Sequence, residues 1–311
     1  MTIGKNAKIY VAGHRGMVGS ALVRRLQQGD YTRLITRTRK ELDLLDQRAA
    51  FDFLQLEKPD YIFIAAAKVG GILANNTYRA DFILENLTIQ NNLILGALKA
   101  GVKDLCFLGS SCIYPRDCPQ PIKEEYLLTS PLEPTNEPYA IAKIAGLKAC
   151  ESCNHQYSTR YVTVMPNNLY GPNDNYDLAN SHVLPALIRK TLEAKQNGKS
   201  ELVIWGTGTP RREFLYVDDM ADACIFLMEQ GIGDGIYNIG IGTDVPIREL
   251  AEIIMDVVGF KGKIVFDSTK PDGTPQKLLD VSRMTNLGWK AKTQLKEGIA
   301  KAYASYLSTL N

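Results

Sequence analysis

An α/β protein, built on a doubly wound parallel sheet with a second, smaller α/β domain, is predicted by three observations. Short apolar runs alternate with longer helical patterns up to Met165, a glycine-rich turn joins the first run to the first helix, and the regularity stops after Met165. Strands that alternate with helices pair in parallel, because each helix carries the chain back to the starting edge of the sheet. Residues 9–13, 34–36, 61–66, 105–109 and 161–165 are the expected strands, separated by helices near 18–27, 47–56, 82–100 and 140–155. The run Pro166-Asn167-Asn168-Leu169-Tyr170-Gly171-Pro172-Asn173-Asp174 is rich in turn formers and opens the less regular segment. Residues 214–219, a helix reaching Met228 and a short run at 236–239 read as a return to the first domain. The expected division is thus discontinuous: residues 1–165 plus about 214–241 for nucleotide binding, and about 166–213 plus 242–311 for the second domain.

A chain of 311 residues can bury a large core, and its charge is nearly balanced, with 36 Lys plus Arg against 34 Asp plus Glu. No long run of one sign occurs, which argues against nucleic acid or an anionic membrane as the main partner. No apolar stretch approaches the roughly 18 to 20 residues that span a bilayer. A short polar lead runs directly into Lys8-Ile9-Tyr10-Val11-Ala12, without the apolar core of a signal peptide. The six cysteines are scattered, unlike a secreted disulfide framework, so a cytoplasmic location is expected. Cys150 and Cys153 form a lone C-x-x-C pair in a helical pattern, where packing is the better reading than metal or redox work, and no metal is expected.

Gly13-His14-Arg15-Gly16-Met17-Val18-Gly19 follows a strand and opens a helix. Glycines there permit a tight turn and close approach to a pyrophosphate lodged at the positive end of the helix. The spacing is G-x-x-G-x-x-G rather than G-x-G-x-x-G. Where an NAD enzyme carries an acid after its second strand, this chain has Arg37-Thr38-Arg39. Guanidinium groups favour a 2′-phosphate, so NADP(H) is expected, with Arg15 as a further cation. The plainer alternative is that these arginines are surface charges.

Tyr139 and Lys143 lie four residues apart and so share one face of the expected helix. A phenol ordinarily titrates near 10, and a neighbouring ammonium would bring it toward neutrality. Ser110-Ser111-Cys112 precedes the pair, after the fourth strand. The phosphate loop, this serine and Tyr-x-x-x-Lys together resemble the extended short-chain dehydrogenase/reductase family, with its Rossmann-type cofactor domain. Gly109-Ser110-Ser111-Cys112-Ile113-Tyr114-Pro115, Glu133-Pro134-Thr135-Asn136-Glu137-Pro138-Tyr139-Ala140-Ile141-Ala142-Lys143, Asn180-Ser181-His182-Val183 and Lys270-Pro271-Asp272-Gly273-Thr274-Pro275 resemble, more narrowly, the family's nucleotide-sugar epimerase-reductases.

The resemblance implies a GDP-sugar substrate, GDP-4-keto-6-deoxy-D-mannose, epimerised at carbons 3 and 5 and then reduced at the carbon 4 ketone by NADPH. One carbonyl serves both stages, since it acidifies the neighbouring C–H bonds and later accepts hydride. Cys112 and His182 would be the base and acid, with the assignment to faces left open by the sequence. Ser110, chosen over Ser111 by its place in the motif, and Tyr139 would hold the carbonyl oxygen, while Lys143 binds the nicotinamide ribose. The resemblance further assigns Leu108, Gly109, Pro166, Asn167, Asn168, Leu169 and His182 to the cofactor. It assigns Asn168, Val183, Lys190, Trp205, Arg212 and Asp272 to the substrate, and it implies a homodimer. For Trp205 a core role is the alternative. A ketoreductase or epimerase without the double inversion, and a non-enzymatic NADPH-binding protein on the same fold, are the competing readings.

Overall fold

The computed structural model describes residues 3–178, 180–270 and 272–310. Pro271, part of one quoted motif, lies outside the described residues. The elements in order are β1 (Lys8–Ala12), α1 (Met17–Gln28), β2 (Arg33–Ile35), α2 (Gln47–Glu57), β3 (Tyr61–Ile64), α3 (Ile72–Thr77), α4 (Arg79–Lys99), β4 (Asp104–Leu108), α5 (Glu137–Tyr157), β5 (Arg160–Pro166), β6 (Asn168–Tyr170), α6 (Val183–Gln196), β7 (Glu201–Trp205) and β8 (Arg211–Arg212). They continue with β9 (Phe214–Tyr216), α7 (Val217–Glu229), β10 (Ile236–Ile239), β11 (Val245–Pro246), α8 (Ile247–Val258), β12 (Lys263–Asp267), β13 (Gln276–Lys277), α9 (Ser282–Asn286) and α10 (Leu295–Ser308).

Six strands form one parallel sheet in the order β10-β5-β4-β3-β1-β2. Side chains alternate across it, as the period of a strand requires. Ile9 and Val11 join a core with Leu22 and Leu26 of α1 and Met220 and Cys224 of α7, while Tyr10 and Ala12 face Leu54 of α2, Leu93 of α4 and Cys150 of α5. Helices therefore cover both faces. The chain crosses from β1 to β2 on one side and from β2 back past β1 to β3 on the other, and the crevice at that reversal is where open α/β sheets bind ligands. All five strands expected up to Met165 are present, as is the run at 236–239, which pairs in register with β5.

The second lobe packs α6, α8 and α10 with the parallel pair β7–β12 around Leu184, Ile188, Leu250, Ile254 and Ile299. Residues 214–216 do not extend the large sheet. β9 pairs with β6 instead, and the two strands form a wall with a core on each side. Leu169 and Leu215 face the nucleotide side, whereas Tyr170, Phe214 and Tyr216 face the second lobe. The lobes also interleave further along, because Met284 and Trp289 pack on the first core and the Trp289 indole donates to Asp222 at 3.1 Å. Among the described residues no helix is long and apolar enough to cross a membrane, and no His/Cys/Asp/Glu group could hold a metal ion. Cys150 is fully buried against the sheet on α5, in line with a packing role.

Candidate active site

The phosphate loop fits a dinucleotide. Gly13 adopts a φ of +84°, and a Cβ there would lie 2.7 Å from the backbone nitrogen of Ala66, just past β3. A Cβ at Gly19 would stand 2.1 Å from the Gly13 carbonyl oxygen, so the loop can close on itself only without side chains. Gly16 caps α1, and Met17 and Val18 open it, so their N–H groups face outward at the helix N-terminus. A buried Nδ1 of His14 has no hydrogen-bond partner among the described residues, a polar atom left for a bound group. Arg37 is drawn aside: its guanidinium bonds Glu57 at 3.0 Å and stacks over Phe53. Arg15 and Arg39 are exposed, with Arg39 only loosely paired to Asp43 at 3.8 Å, and they are the cations open to a 2′-phosphate.

Four segments converge beyond the carboxyl ends of β4 and β5. Ser110 ends the loop after β4, and its hydroxyl accepts the Cys112 N–H at 3.2 Å, which fixes the short turn that carries the thiol. A Cβ at Gly109 would lie 2.4 Å from the Met165 sulfur, so that turn can press against β5. Pro138 opens α5 and sets Tyr139 and Lys143 one turn apart on its inner face. The Ser110 hydroxyl lies near enough to the phenol to favour its anion.

Burial dominates the titration of this group. It raises the phenol well above its ordinary range, the Cys112 sulfur raises it further, and Ser110 opposes both. Lys143 is 3% exposed and donates to the Leu108 carbonyl at 2.8 Å, with its nitrogen 5.9 Å from the Tyr139 ring centre. Burial lowers its pKa to about 8. The expectation that Lys143 brings the phenol toward neutrality is therefore not met in this geometry, because the ammonium is turned to a carbonyl and burial outweighs it.

His182 stands at the N-cap of α6, on a loop tied to α3 by the Gly71 N–H bonding the Asn180 carbonyl at 3.0 Å. The ring is open to the cleft, yet the protein around it and, second, the Lys277 ammonium lower its pKa. Lys277 on β13 also places its nitrogen 3.7 Å from the Cys112 sulfur. Sequence reasoning passed over Lys277, since nothing in Gln276-Lys277-Leu278 marks it and its neighbour is 165 positions away.

Glu213 was also missed. Its carboxylate is wholly buried and accepts from the N–H groups of Ile241 and Gly242 at 2.7 Å, of Leu279 at 3.1 Å and from Asn167 Nδ2 at 2.7 Å. Burial raises its pKa, and these four donors pull it back. A charge at the head of a buried apolar strand was the available signal, because such a group must have partners. Asn167 spends its remaining polar atoms on the Lys277 carbonyl at 3.1 Å, Ser111 at 3.4 Å and Asn168 at 3.2 Å. Its side chain is thus committed to the protein, which leaves only backbone for the cofactor at Pro166, Asn167 and Leu169.

The second lobe supplies a cationic wall. Trp205 is 58% exposed, so the core alternative fails, and the ammoniums of Lys190 and Lys270 lie 5.0 and 5.4 Å from its ring centre. Burial lowers the pKa of both Lys190 and Arg212, and Arg212 makes no ion pair among the described residues. Val183 is the first residue of α6, directly after His182. Asp272 is not a free acceptor: its two oxygens take the Thr207 N–H at 2.6 Å and the Thr207 hydroxyl at 2.9 Å, stapling the loop beneath Trp205.

A glycine cradle at a sheet reversal, with Ser, Tyr and Lys beside it, defines a nicotinamide-nucleotide enzyme of the dehydrogenase and epimerase type. The chain belongs to the NAD dependent epimerase/dehydratase family, whose profile matches residues 9–240. It is 58% identical over 306 residues to putative GDP-L-fucose synthase 2 of Arabidopsis thaliana, covering 98% of this chain and 93% of that protein. It is 54% identical over 311 residues to GDP-L-fucose synthase of Escherichia coli (strain K12), covering 96% of each. MlghC, a GDP-mannoheptose C4 reductase from Campylobacter jejuni solved with NADP bound, superposes with a TM-score of 0.90 at 42% identity, covering 98% of this chain and 99% of that one.

Proposed function

We propose that this chain converts GDP-4-keto-6-deoxy-D-mannose to GDP-L-fucose, by epimerising carbons 3 and 5 and then reducing the carbon 4 ketone with NADPH. What supports the reading is that Cys112 lies beside Lys277 and acts on the Tyr139 phenol, and that the same Lys277 charge bears on His182, in a chain similar over nearly its whole length to proteins bearing that name. Cys112 takes the proton from the carbon next to the ketone, and the electron pair moves onto the carbonyl oxygen. Ser110 and Tyr139 hold that oxygen as an enolate, and His182 returns a proton from the opposite face. NADPH, when bound, supplies the hydride for carbon 4. Tyr139 then gives its proton to the resulting alkoxide.

Lys190, Arg212 and Lys270 suit a diphosphate, and the exposed Trp205 offers a face for the base. A plain C4 reductase is the second reading, favoured by the likeness to MlghC. Turnover with NADPH in heavy water separates the two. Stable deuterium at carbons 3 and 5 of the reduced sugar supports the epimerase-reductase, and a reduced, unlabelled sugar would refute it.

The protein acts as a homodimer in this reading. Leu84 and Leu95 are eleven residues apart on α4 and so share one face, 62% and 40% exposed, and Ile141 of α5 is exposed as well. Light scattering tests this, and a monomer at working concentration would refute it. A cytoplasmic location fits six cysteines that are all free.

A further inference from the structure

We propose that Lys277 is a positioning residue for the epimerisation, its ammonium holding the Cys112 sulfur in place and offsetting the negative charge that the sulfur carries when it acts as a base. The inference rests on the epimerase-reductase reading and adds to it a residue outside the Ser110, Cys112, Tyr139, Lys143 and His182 set.

Three observations carry it. The Lys277 ammonium is half-buried and, among the described residues, makes no ion pair, although 3.7 Å separates it from the Cys112 sulfur. An ammonium without a carboxylate gains most from an anion, and the sulfur is the group within reach that can become one. The backbone beneath it is fixed on both sides. Its carbonyl accepts from Asn167, Leu279 two positions on donates to the buried Glu213, and Leu278 bonds both Gln120 and Ile122 at 2.8 Å. That last pair belongs to the loop descending from Cys112, so thiol and ammonium are held by one stapled unit.

The third observation concerns direction. The Lys277 charge also bears on His182, where it favours loss of a proton. One cation thus biases both partners toward their assigned work, the sulfur toward accepting a proton and the imidazolium toward giving one up. The groups facing the sulfur are Lys277, Ser110 and the Tyr139 phenol, and those bearing on Lys277 include Cys118. In the step itself the C–H bond breaks, an S–H bond forms, and the electron pair goes to the carbonyl oxygen. The neutral thiol then leaves Lys277 uncompensated, which favours return of the proton to solvent before the next turnover.

The test compares the wild-type chain with Lys277→Met and Lys277→Arg. The rate of Cys112 alkylation by iodoacetamide at pH 7 is read by peptide mass spectrometry in the absence of substrate, with Cys112→Ser as blank. Lys277→Met should slow alkylation about tenfold, and Lys277→Arg should restore most of the rate. Deuterium exchange into the sugar should fall in parallel, with NADPH affinity as the check on folding. Equal alkylation of Lys277→Met and wild type would overturn the proposal. Absence of exchange in the wild type, with the alkylation difference intact, would instead overturn the epimerase reading and leave the pairing of Lys277 with Cys112 standing.

Discussion

Glu213 and Asn167 are joined by a buried 2.7 Å hydrogen bond, and through it a carboxylate that makes no ion pair among the described residues braces the floor of the candidate cleft. Asn167 transmits the constraint to Lys277 and Ser111, and Glu213 itself seizes the loop after β10. Removing the carboxylate strands four donors at once. Glu213→Ala should therefore cost about 3 kcal/mol or more in urea unfolding, and Glu213→Gln less, because its amide keeps one accepting oxygen. Equal stability of Glu213→Ala and wild type would show that the four bonds are replaceable.

Cys112→Ser and His182→Asn should each reduce deuterium exchange at the carbons beside the ketone on the order of a hundredfold, the usual contribution of a general acid or base. NADPH binding, followed by fluorescence, should be unchanged. Full exchange in both variants would remove the pair from the mechanism.

Lys143 gives stability a definite pH dependence. Its ammonium titrates near 8 in the folded protein and near 10.5 in the unfolded chain, so unfolding takes up a proton between those values and stability rises with pH across that window. Below about pH 8 both states hold the proton, and the cost of burial, roughly 3 kcal/mol, is fully present. The Lys143→Met variant should lack this rise, while losing reductase activity. Parallel stability curves from pH 8 to 10.5 would mean that the ammonium keeps its hydration.

Trp205→Ala should raise KM for the GDP-sugar on the order of tenfold with little change in kcat, since in the proposed reading the ring packs on the base and not on the reacting carbons. A fall in kcat at unchanged KM would place Trp205 in the chemistry instead.

Local pattern made much of this molecule legible in the sequence. The strands that alternate with helices up to Met165, the glycine loop and the Tyr139–Lys143 spacing are each set by residues within a few turns of one another, where periodicity and turn chemistry act directly. What escaped was built by long-range topology. Lys277 reaches Cys112 because β13 pairs with β8 and is stapled to the loop near Gln120, none of which leaves a local trace. The phenol's environment was misjudged for a related reason. Spacing places Lys143 near Tyr139, but only the fold shows that its nitrogen is claimed by Leu108. Trp205 shows the converse, because its exposure follows from strand alternation along β7, where Leu202 and Ile204 face inward.

The strand pair β6–β9 carries Leu169 and Leu215 on one side and Tyr170, Phe214 and Tyr216 on the other. Neither lobe can then be excised with its own hydrophobic face intact, since a cut on either side of the pair strips one core of its lining. Limited proteolysis should yield no autonomous fragment, and urea should melt both lobes in a single transition. The enzyme is in this sense one cooperative unit wearing the outline of two.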